Sequence, residues 1–304
     1  MEKQFVILSG SSNRKLGKKV AGRLNSKLGK IEIEEFANKE IRVRILEEVK
    51  DKTVFIIQST IYPAERYIIE LALIADAAKR AGAKKIIAII PWFGYSPQDK
   101  VFRKGEPLSA EVIVKILEAS SIDEFVLVDI HSMDVLKLFK KEVHHISAME
   151  TFINYFKQNL AKEEWCSVAL DNGALERADL FAKRLNLPIA VFDKTRDRET
   201  GEVTFHSLKG DIRGKNVITF DDYVSTGGTT IQSCEFLKKK GAEKCYYCIT
   251  HLIVPESIEK IKKSKIDKMF ISDSIDWKIK PDVKNLKVIS IGKLLADFIK
   301  SYID

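Results

Sequence analysis

Residues 216–230 read NVITFDDYVSTGGTT and carry the strongest structural signal in the chain. Their apolar, β-branched start predicts a buried strand, and two acids, Asp221 and Asp222, follow it. Glycines and hydroxyl residues come next, before a helical pattern that includes Ile231 and Leu237. The stretch therefore predicts a strand, a loop and a helix, which is the unit that builds parallel α/β sheets.

The loop has the chemistry of a phosphate site. Gly227 and Gly228 allow close approach of the main chain to an anion, and the following helix points free N–H groups at it. Asp221 and Asp222 can accept hydrogen bonds from ribose hydroxyls or help to hold a magnesium-bound group. An ordinary turn before an N-capped helix is the alternative, which two adjacent acids at a strand end disfavour. Four hydroxyls add donors: Ser225, Thr226, Thr229 and Thr230.

The rest of the chain repeats the alternation of short apolar runs with amphipathic helical patterns. We therefore predict an α/β fold of mainly parallel sheets flanked by helices, with ligands beyond the carboxyl ends of the strands. The predicted strands lie at residues 5–8, 54–57, 85–90, 125–128, 167–170 and 216–220.

The length of the chain and a weak internal sequence similarity indicate two domains. The 304 residues, 45% of them hydrophobic, are enough for two cores. Gly82 and Gly241 each end a lysine-rich helix before a strand, although such glycine caps are common. We expect an N-terminal domain over residues 1–148 and a C-terminal domain over 149–304, and a C-terminal segment of one fold can pack on the other half.

Composition limits the partners. The net charge of +8 fits nucleic acid, a membrane surface or a polyanionic small substrate, but the lysine runs 238–240 and 262–263 are explained by solvated helix faces. Without an aromatic-basic recognition motif, nucleic acid is the weakest of these options. The four dispersed cysteines favour a reducing cytoplasm, and no long apolar run indicates a membrane segment. The start of the chain reads as a buried strand, not a signal peptide.

Several motifs together resemble one family. Residues 216–230 look like the phosphoribosyl-pyrophosphate loop shared by phosphoribosyltransferases and ribose-phosphate pyrophosphokinases. The stretches FANKEIRVRI at 36–45 and PWFGYSPQD at 91–99, with Phe102-Arg103 and 106–110, resemble the pyrophosphokinases and are usually missing from the transferases. The order of motifs is similar to the ribose-phosphate pyrophosphokinase family over nearly the whole chain. The resemblance implies two similar phosphoribosyltransferase-like domains, the first on the ATP side and the second on the ribose 5-phosphate side.

The resemblance also implies an ATP site. Arg103 can neutralise triphosphate charge, Gln98 can hydrogen-bond an adenine edge or a phosphate, and Phe36 offers a face for the base. In this family, sites are completed between subunits, so Phe36 and Glu40 would serve a neighbour's ATP in a dimer or larger homo-oligomer. The implied ATP-binding residues are Phe36, Asn38, Glu40, Gln98, Asp99, Arg103 and His131.

Three further motifs resemble those that supply metal ligands and reacting groups in the family. His131, in Asp-Ile-His at 129–131, matches the family histidine that helps bind the Mg²⁺ of MgATP, and Asp171 matches a second metal contact. Lys194 and Arg196 match the lysine and arginine of a flexible catalytic loop that closes over the phosphates. The implied reaction is attack by O1 of ribose 5-phosphate on the β-phosphorus of ATP, with AMP as the leaving group.

Three positions depart from the usual family pattern, and two other functions stay open. Asn38 stands where an aspartate is usual, Pro97 where an arginine precedes the glutamine, and Asn172 where an alanine follows the aspartate. One alternative is a phosphoribosyltransferase, against which the ATP-site motifs argue. The other is a non-catalytic regulatory paralogue of the synthase, which would have no reason to retain all the candidate reacting groups.

Overall fold

The computed structural model describes residues 3–160, 163–170, 173–196, 203–277 and 283–303. The chain forms two compact units. Unit 1 comprises Met1–Ser147, Ser274–Asp276 and Ser290–Asp304. Unit 2 comprises Ala148–Asp273 and Trp277–Ile289.

Strands and helices alternate along both units, with a 3₁₀ helix at Met133–Leu138. None of the helices in the described ranges combines the length and apolar character that crossing a membrane requires. The strands are β1 (Phe5–Ser9), β2 (Ile31–Glu35), β3 (Ile41–Ile45), β4 (Thr53–Ile57), β5 (Lys85–Ile90), β6 (Glu124–Val128), β7 (Glu142–Ile146), β8 (Trp165–Ala169), β9 (Ile189–Arg196), β10 (Val203–Lys209), β11 (Asn216–Val224), β12 (Cys245–Leu252), β13 (Lys268–Ser272) and β14 (Leu286–Ile289). The helices are α1 (Arg14–Arg23), α2 (Ala64–Arg80), α3 (Ser109–Glu118), α4 (Met149–Asn159), α5 (Leu175–Leu185), α6 (Gly228–Lys239), α7 (Glu256–Lys263) and α8 (Gly292–Ile303).

Unit 1 is built on a parallel sheet of five strands in the order β1-β4-β5-β6-β7. All residues of β6 and nearly all of β5 are buried, which explains why their sequences are apolar without alternation. The C-terminal helix α8 belongs to this unit, where Tyr302 lies edge-on to Phe55 of β4 with ring centroids 5.7 Å apart.

Unit 1 also contains a separate two-stranded sheet, whose apolar residues pack on the core of the unit. Strands β2 and β3 pair antiparallel, with Ile31 opposite Ile45 and Glu35 opposite Ile41. Their sequences, IEIEE and IRVRI, alternate with the period of two that a half-buried hairpin requires. The turn at its tip holds residues 36–40, all of which are exposed, including the predicted ATP-binding residues Phe36, Asn38 and Glu40.

Unit 2 contains a seven-stranded sheet in the order β10-β9-β8-β11-β12-β13-β14. Its strands are parallel except for the edge pair, where β10 runs antiparallel to β9. The prediction of an α/β fold with mainly parallel sheets flanked by helices is confirmed. Residues 194–196, which were predicted to lie in a loop, belong instead to β9 and pair in register with β10, with Val203 opposite Arg196.

Glycines end two corresponding helices, as predicted. Gly82 follows α2 with φ +86°, and Gly241 follows α6 with φ +96°. This left-handed conformation disfavours residues that carry a Cβ, and it turns the chain from each helix toward the next strand.

Candidate active site

The two acids of the phosphate-loop motif lie within β11. The strand was predicted to end at Phe220 but continues to Val224, so Asp221 and Asp222 are the sixth and seventh of its nine residues. Arg177 of α5 contacts both acids: its Nη2 lies 3.0 Å from Asp221 Oδ1, and its Nη1 lies 3.3 Å from Asp222 Oδ2. Asp221 Oδ1 also accepts the main-chain N–H of Asp222 at 3.0 Å.

Burial dominates the electrostatics of this acid pair. The side chain of Asp222 is 5% exposed and that of Asp221 is 20% exposed. Burial raises the pKa of the Asp221 carboxyl well above its ordinary value, and the charge of Asp222 raises it further, whereas Arg177 lowers it. The guanidinium therefore offsets the cost of holding two adjacent acids in one partly dry site.

The phosphate loop leads from β11 into α6. Gly227 has φ +80° and stands at the N-cap position, and within the described structure no side chain caps the helix. The first turn carries no acid, and Gly228 and Thr226 are exposed. Uncapped N–H groups at an exposed helix start suit an anion such as a phosphate.

In unit 1, the loops after β1 and β4 are joined by a buried polar network. Glu70 of α2 accepts the main-chain N–H and the hydroxyl of Ser11, each at 2.6 Å. Gln58 donates from Nε2 to Glu70 at 2.8 Å, and its Oε1 accepts from the Ser12 hydroxyl at 2.7 Å. These bonds fix the carboxyl edge of the sheet at two of its strands.

The next loop, after β5, is fixed by a tight main-chain approach. Gly94 donates its N–H to Thr60 Oγ1 at 2.7 Å, and a Cβ at Gly94 would overlap the carbonyl oxygen of Thr60. Farther along, Gln98 donates from Nε2 to the Pro107 carbonyl at 3.2 Å and accepts from the Ser109 hydroxyl at 2.5 Å. The predicted nucleotide loop is thus anchored to the start of α3.

The predicted charged residues of this loop are accessible. Asp99 is half-buried and Arg103 is exposed. The turn around Arg103 is closed locally, because its N–H bonds Glu106 Oε2 at 2.9 Å and its carbonyl accepts from the Glu106 N–H at 3.1 Å. The Arg103 side chain is therefore available to a ligand from a turn whose main chain is fixed.

His131 lies three residues beyond the carboxyl end of β6, where it was predicted, and it is exposed. Its loop is held from β7: the Ser147 hydroxyl donates to Asp129 Oδ1 at 2.6 Å, and the Ile130 N–H lies 3.3 Å from His145 Nε2. Burial lowers the pKa of His145, which favours the neutral ring that such an acceptor needs.

The hairpin tip presents Phe36, Asn38 and Glu40 to solvent. Phe36 is 52% exposed. The turn is closed by a bond from Phe36 N–H to the Glu40 carbonyl at 2.9 Å and by one from Glu40 N–H to Asn38 Oδ1 at 3.2 Å. Glu35, at the base of this turn, pairs with Arg66 of α2.

Comparison with known proteins decides the family. Residues 5–120 match the N-terminal domain of ribose phosphate pyrophosphokinase, and residues 141–287 match the phosphoribosyl transferase domain. A ribose-phosphate pyrophosphokinase from Caldanaerobacter subterraneus subsp. tengcongensis is 35% identical over 295 residues, which are 96% of this chain and 93% of that protein. The chain belongs to the ribose-phosphate pyrophosphokinase family.

Further members of the ribose-phosphate pyrophosphokinase family extend this similarity. The Bacillus subtilis ribose-phosphate pyrophosphokinase is 33% identical over 301 residues, covering 98% of this chain and 94% of that protein. The crystal structure of phosphoribosylpyrophosphate synthetase from Mycobacterium smegmatis aligns with a TM-score of 0.88 at 30% identity, with 99% of each chain covered. The predicted family and fold are confirmed, and an enzyme of this kind is indicated.

The site of this family member is only partly described by the structure. Asp171, the second predicted metal ligand, lies outside the described residues, as do the side chains of Lys194 and Arg196. Within the described ranges, one group of three acids and histidines is close enough to share an ion: Glu124, Glu142 and His144.

That group lies at the opposite edge of the sheet from His131. Glu124 and Glu142 are the first residues of β6 and β7, whereas His131 follows the carboxyl end of β6. Glu124 already binds the Lys85 ammonium group and accepts from the Tyr302 hydroxyl at 2.9 Å. The group is explained by these internal contacts and does not supply the predicted magnesium site.

Arg177 is the residue that sequence reasoning missed. Arg177 lies in the segment that follows β8, and nothing in the local sequence indicated a contact with Asp221, 44 residues later. The order of the strands in the sheet would have indicated this contact, because β8 and β11 are parallel neighbours and α5 begins just beyond β8.

Proposed function

We propose that this chain transfers the β,γ-pyrophosphoryl group of ATP to O1 of ribose 5-phosphate, giving 5-phosphoribosyl 1-pyrophosphate and AMP. The proposal rests on the similarity to ribose-phosphate pyrophosphokinases over nearly the whole chain, and on the acid pair of β11 with the uncapped start of α6 after it. Together they offer acceptors for a sugar's hydroxyls beside donors for its phosphate.

Ribose 5-phosphate would bind in unit 2. Asp221 and Asp222 accept hydrogen bonds from the ribose hydroxyls, while the loop and first turn of α6 hold the 5-phosphate. Since the first turn carries no acid, the positive end of the helix dipole is left for the ligand. The phosphate ligands would be the main chain of Gly227 and Gly228 with the hydroxyls of Ser225, Thr226, Thr229 and Thr230.

ATP would bind through unit 1. The exposed Arg103 offsets triphosphate charge, with Asp99 and the anchored Gln98 beside it in the same loop. Phe36, Asn38 and Glu40 would reach the ATP of a neighbouring subunit, since the turn that carries them is exposed. The protein would then act as a homo-oligomer, at least a dimer.

The reaction requires alignment and charge neutralisation more than covalent help from the protein. A bond forms between O1 of the sugar and the β-phosphorus as the bond from that phosphorus to the oxygen of AMP breaks. Lys194 and Arg196 would offset the charge of the transferring group. Mg²⁺, for which His131 and Asp171 are the candidate protein ligands, would supply further neutralisation, and binding largely through phosphate oxygens suits this ion.

The test is to supply Mg²⁺, ATP and ribose 5-phosphate and to follow both products by chromatography. AMP and 5-phosphoribosyl 1-pyrophosphate should appear in equal amounts, and Lys194→Ala or His131→Ala should abolish both. Lys293→Ala, a substitution on the exposed surface of α8, serves as control. Absence of AMP with inorganic phosphate and other nucleotide donors present would favour a regulatory paralogue, and AMP-free consumption of 5-phosphoribosyl 1-pyrophosphate would favour a transferase.

A further inference from the structure

Arg177 reaches the acid pair because of the order of strands in unit 2. Strands β8 and β11 are parallel neighbours, with Ser167 opposite Ile218, so their carboxyl ends lie side by side. Helix α5 begins at Leu175, a few residues beyond β8, and packs against both strands. The first turn of α5 therefore delivers a side chain to the place where β11 carries its acids.

The contacts at that place differ from those of an ordinary surface ion pair. The two terminal nitrogens of Arg177 each reach a different carboxylate, at 3.0 Å and 3.3 Å. Asp222 is almost completely buried, and the arginine side chain is 33% exposed. A pair of acids this close would repel each other when both are ionised, and the single guanidinium group of Arg177 can compensate both negative charges.

The same helix supplies a comparison. Arg184, two turns farther along α5, binds Glu150 of α4, and the two side chains are 46% and 43% exposed. Such solvated pairs contribute little to structure or function. Arg177 and Arg184 are thus the same residue type on one helix, but only Arg177 contacts groups of the candidate site.

We propose that Arg177 is a positioning residue, which holds Asp221 and Asp222 in the orientation that receives the hydroxyls of ribose 5-phosphate. The inference rests on the proposed function, since it names the use of the same acid pair. It predicts that loss of the guanidinium weakens the sugar side of the reaction and leaves the nucleotide side unchanged. Lysine retains one charge but offers a single nitrogen, so it can serve only one acid at a time.

The experiment compares Arg177→Ala, Arg177→Lys and Arg184→Ala with the parent chain. AMP formation is measured at varied ribose 5-phosphate with saturating ATP, and at varied ATP with saturating ribose 5-phosphate. In Arg177→Ala, KM for ribose 5-phosphate should rise about 10- to 100-fold, while KM for ATP stays within about twofold. KM for ribose 5-phosphate in Arg177→Lys should lie between the values of the parent and Arg177→Ala, and KM in Arg184→Ala should match the parent. Added guanidinium ion should partly restore the low KM in Arg177→Ala.

Two outcomes would overturn the inference. One is an unchanged KM for ribose 5-phosphate in Arg177→Ala; the other is an equal rise in both KM values with no rescue by guanidinium, which a general loss of structure would produce. If Arg177→Ala does not fold, the ratio of the two KM values in Arg177→Lys decides. If the parent chain forms no AMP, the proposed function fails, and calorimetric binding of ribose 5-phosphate to parent and Arg177→Lys still tests the arginine.

Discussion

The acid pair of unit 2 and the hairpin tip of unit 1 carry predicted ligand groups in opposite ways. Asp221 and Asp222 are largely buried and share an arginine, whereas Phe36 and its neighbours are exposed on a turn closed by main-chain bonds. The first site is arranged before any ligand arrives. The second presents exposed side chains on a turn, which suits groups that act on another molecule or subunit.

The largest effect should follow from removing the buried charges. Asp222→Asn keeps the size of the side chain but loses the carboxylate that faces Arg177, so kcat/KM for ribose 5-phosphate should fall about 100-fold or more. Steady-state formation of AMP measures it. Asp297→Asn, on the exposed face of α8, is the matched control. A loss of less than about threefold would contradict a substrate role for the acid pair.

A smaller effect should follow from adding a methyl group at Gly94, in the loop after β5. In Gly94→Ala the new Cβ would overlap the Thr60 carbonyl, so the free energy of unfolding should fall by about 1–3 kcal/mol. Denaturant titration measures that loss, and KM for ATP should rise because the loop leading to Gln98 is displaced. Gly22→Ala, which meets no atom within 4 Å, should not destabilise the chain. A stable Gly94→Ala with normal ATP dependence would show that this loop does not shape the nucleotide side.

A substitution at the hairpin tip should change ATP binding and leave stability almost unchanged. Phe36→Ala removes an exposed ring, so stability should change by no more than about 0.5 kcal/mol. KM for ATP should nevertheless rise about tenfold if the ring stacks on a base. Tyr62, 81% exposed and outside the nucleotide loop, is a control for the loss of an exposed aromatic ring. Equal effects of Phe36→Ala and Tyr62→Ala would remove the special role of the hairpin.

The smallest predicted effect is a difference between the two regions in how their contribution to stability depends on pH. Because the pKa of Asp221 is raised in the folded chain by burial, its contribution to stability falls as pH rises from the ordinary value through the raised one. Asp221→Asn should therefore gain stability relative to the parent as pH increases over that range.

Glu35, beside the hairpin tip, should behave in the opposite sense. Lys39, followed by Arg66, lowers its pKa, so its contribution is present above the ordinary value and is lost as pH falls through the lowered one. Glu35→Gln should thus lose a little stability at neutral pH and match the parent in acid. Thermal unfolding of both variants across pH tests the contrast, and curves of the same sign would refute it.

Much of the fold could be predicted because its strands are apolar on both faces. The runs at 85–90 and 125–128 became β5 and β6 with almost every residue buried, so local composition was sufficient. The extension of β11 through its acids was missed, since Asp221 and Asp222 read as the end of an apolar pattern. Tertiary pairing with β12 keeps them in the strand, where Asp221 lies opposite Ile249.

The candidate site was predictable only where a motif was local. His131 and the loop at 225–230 stand beyond strand ends, as their spacing indicated. Arg177 could not be found in this way, because its contact depends on which strands are neighbours. Placement of 194–196 in β9 likewise depends on pairing with a strand from later in the chain. The roles of Lys194, Arg196 and Asp171 stay predictions.

The place of α8 has a consequence for biosynthesis. Helix α8 follows the segments of unit 2 along the chain, yet it belongs to unit 1, where the Tyr302 hydroxyl donates to the buried Glu124 and Phe298 lies against His144. Domains are generally completed on the ribosome in the order of their synthesis. Unit 1 therefore lacks α8 until the segments of unit 2 have been synthesised, and the contacts of Glu124 and His144 with this helix can form only after that.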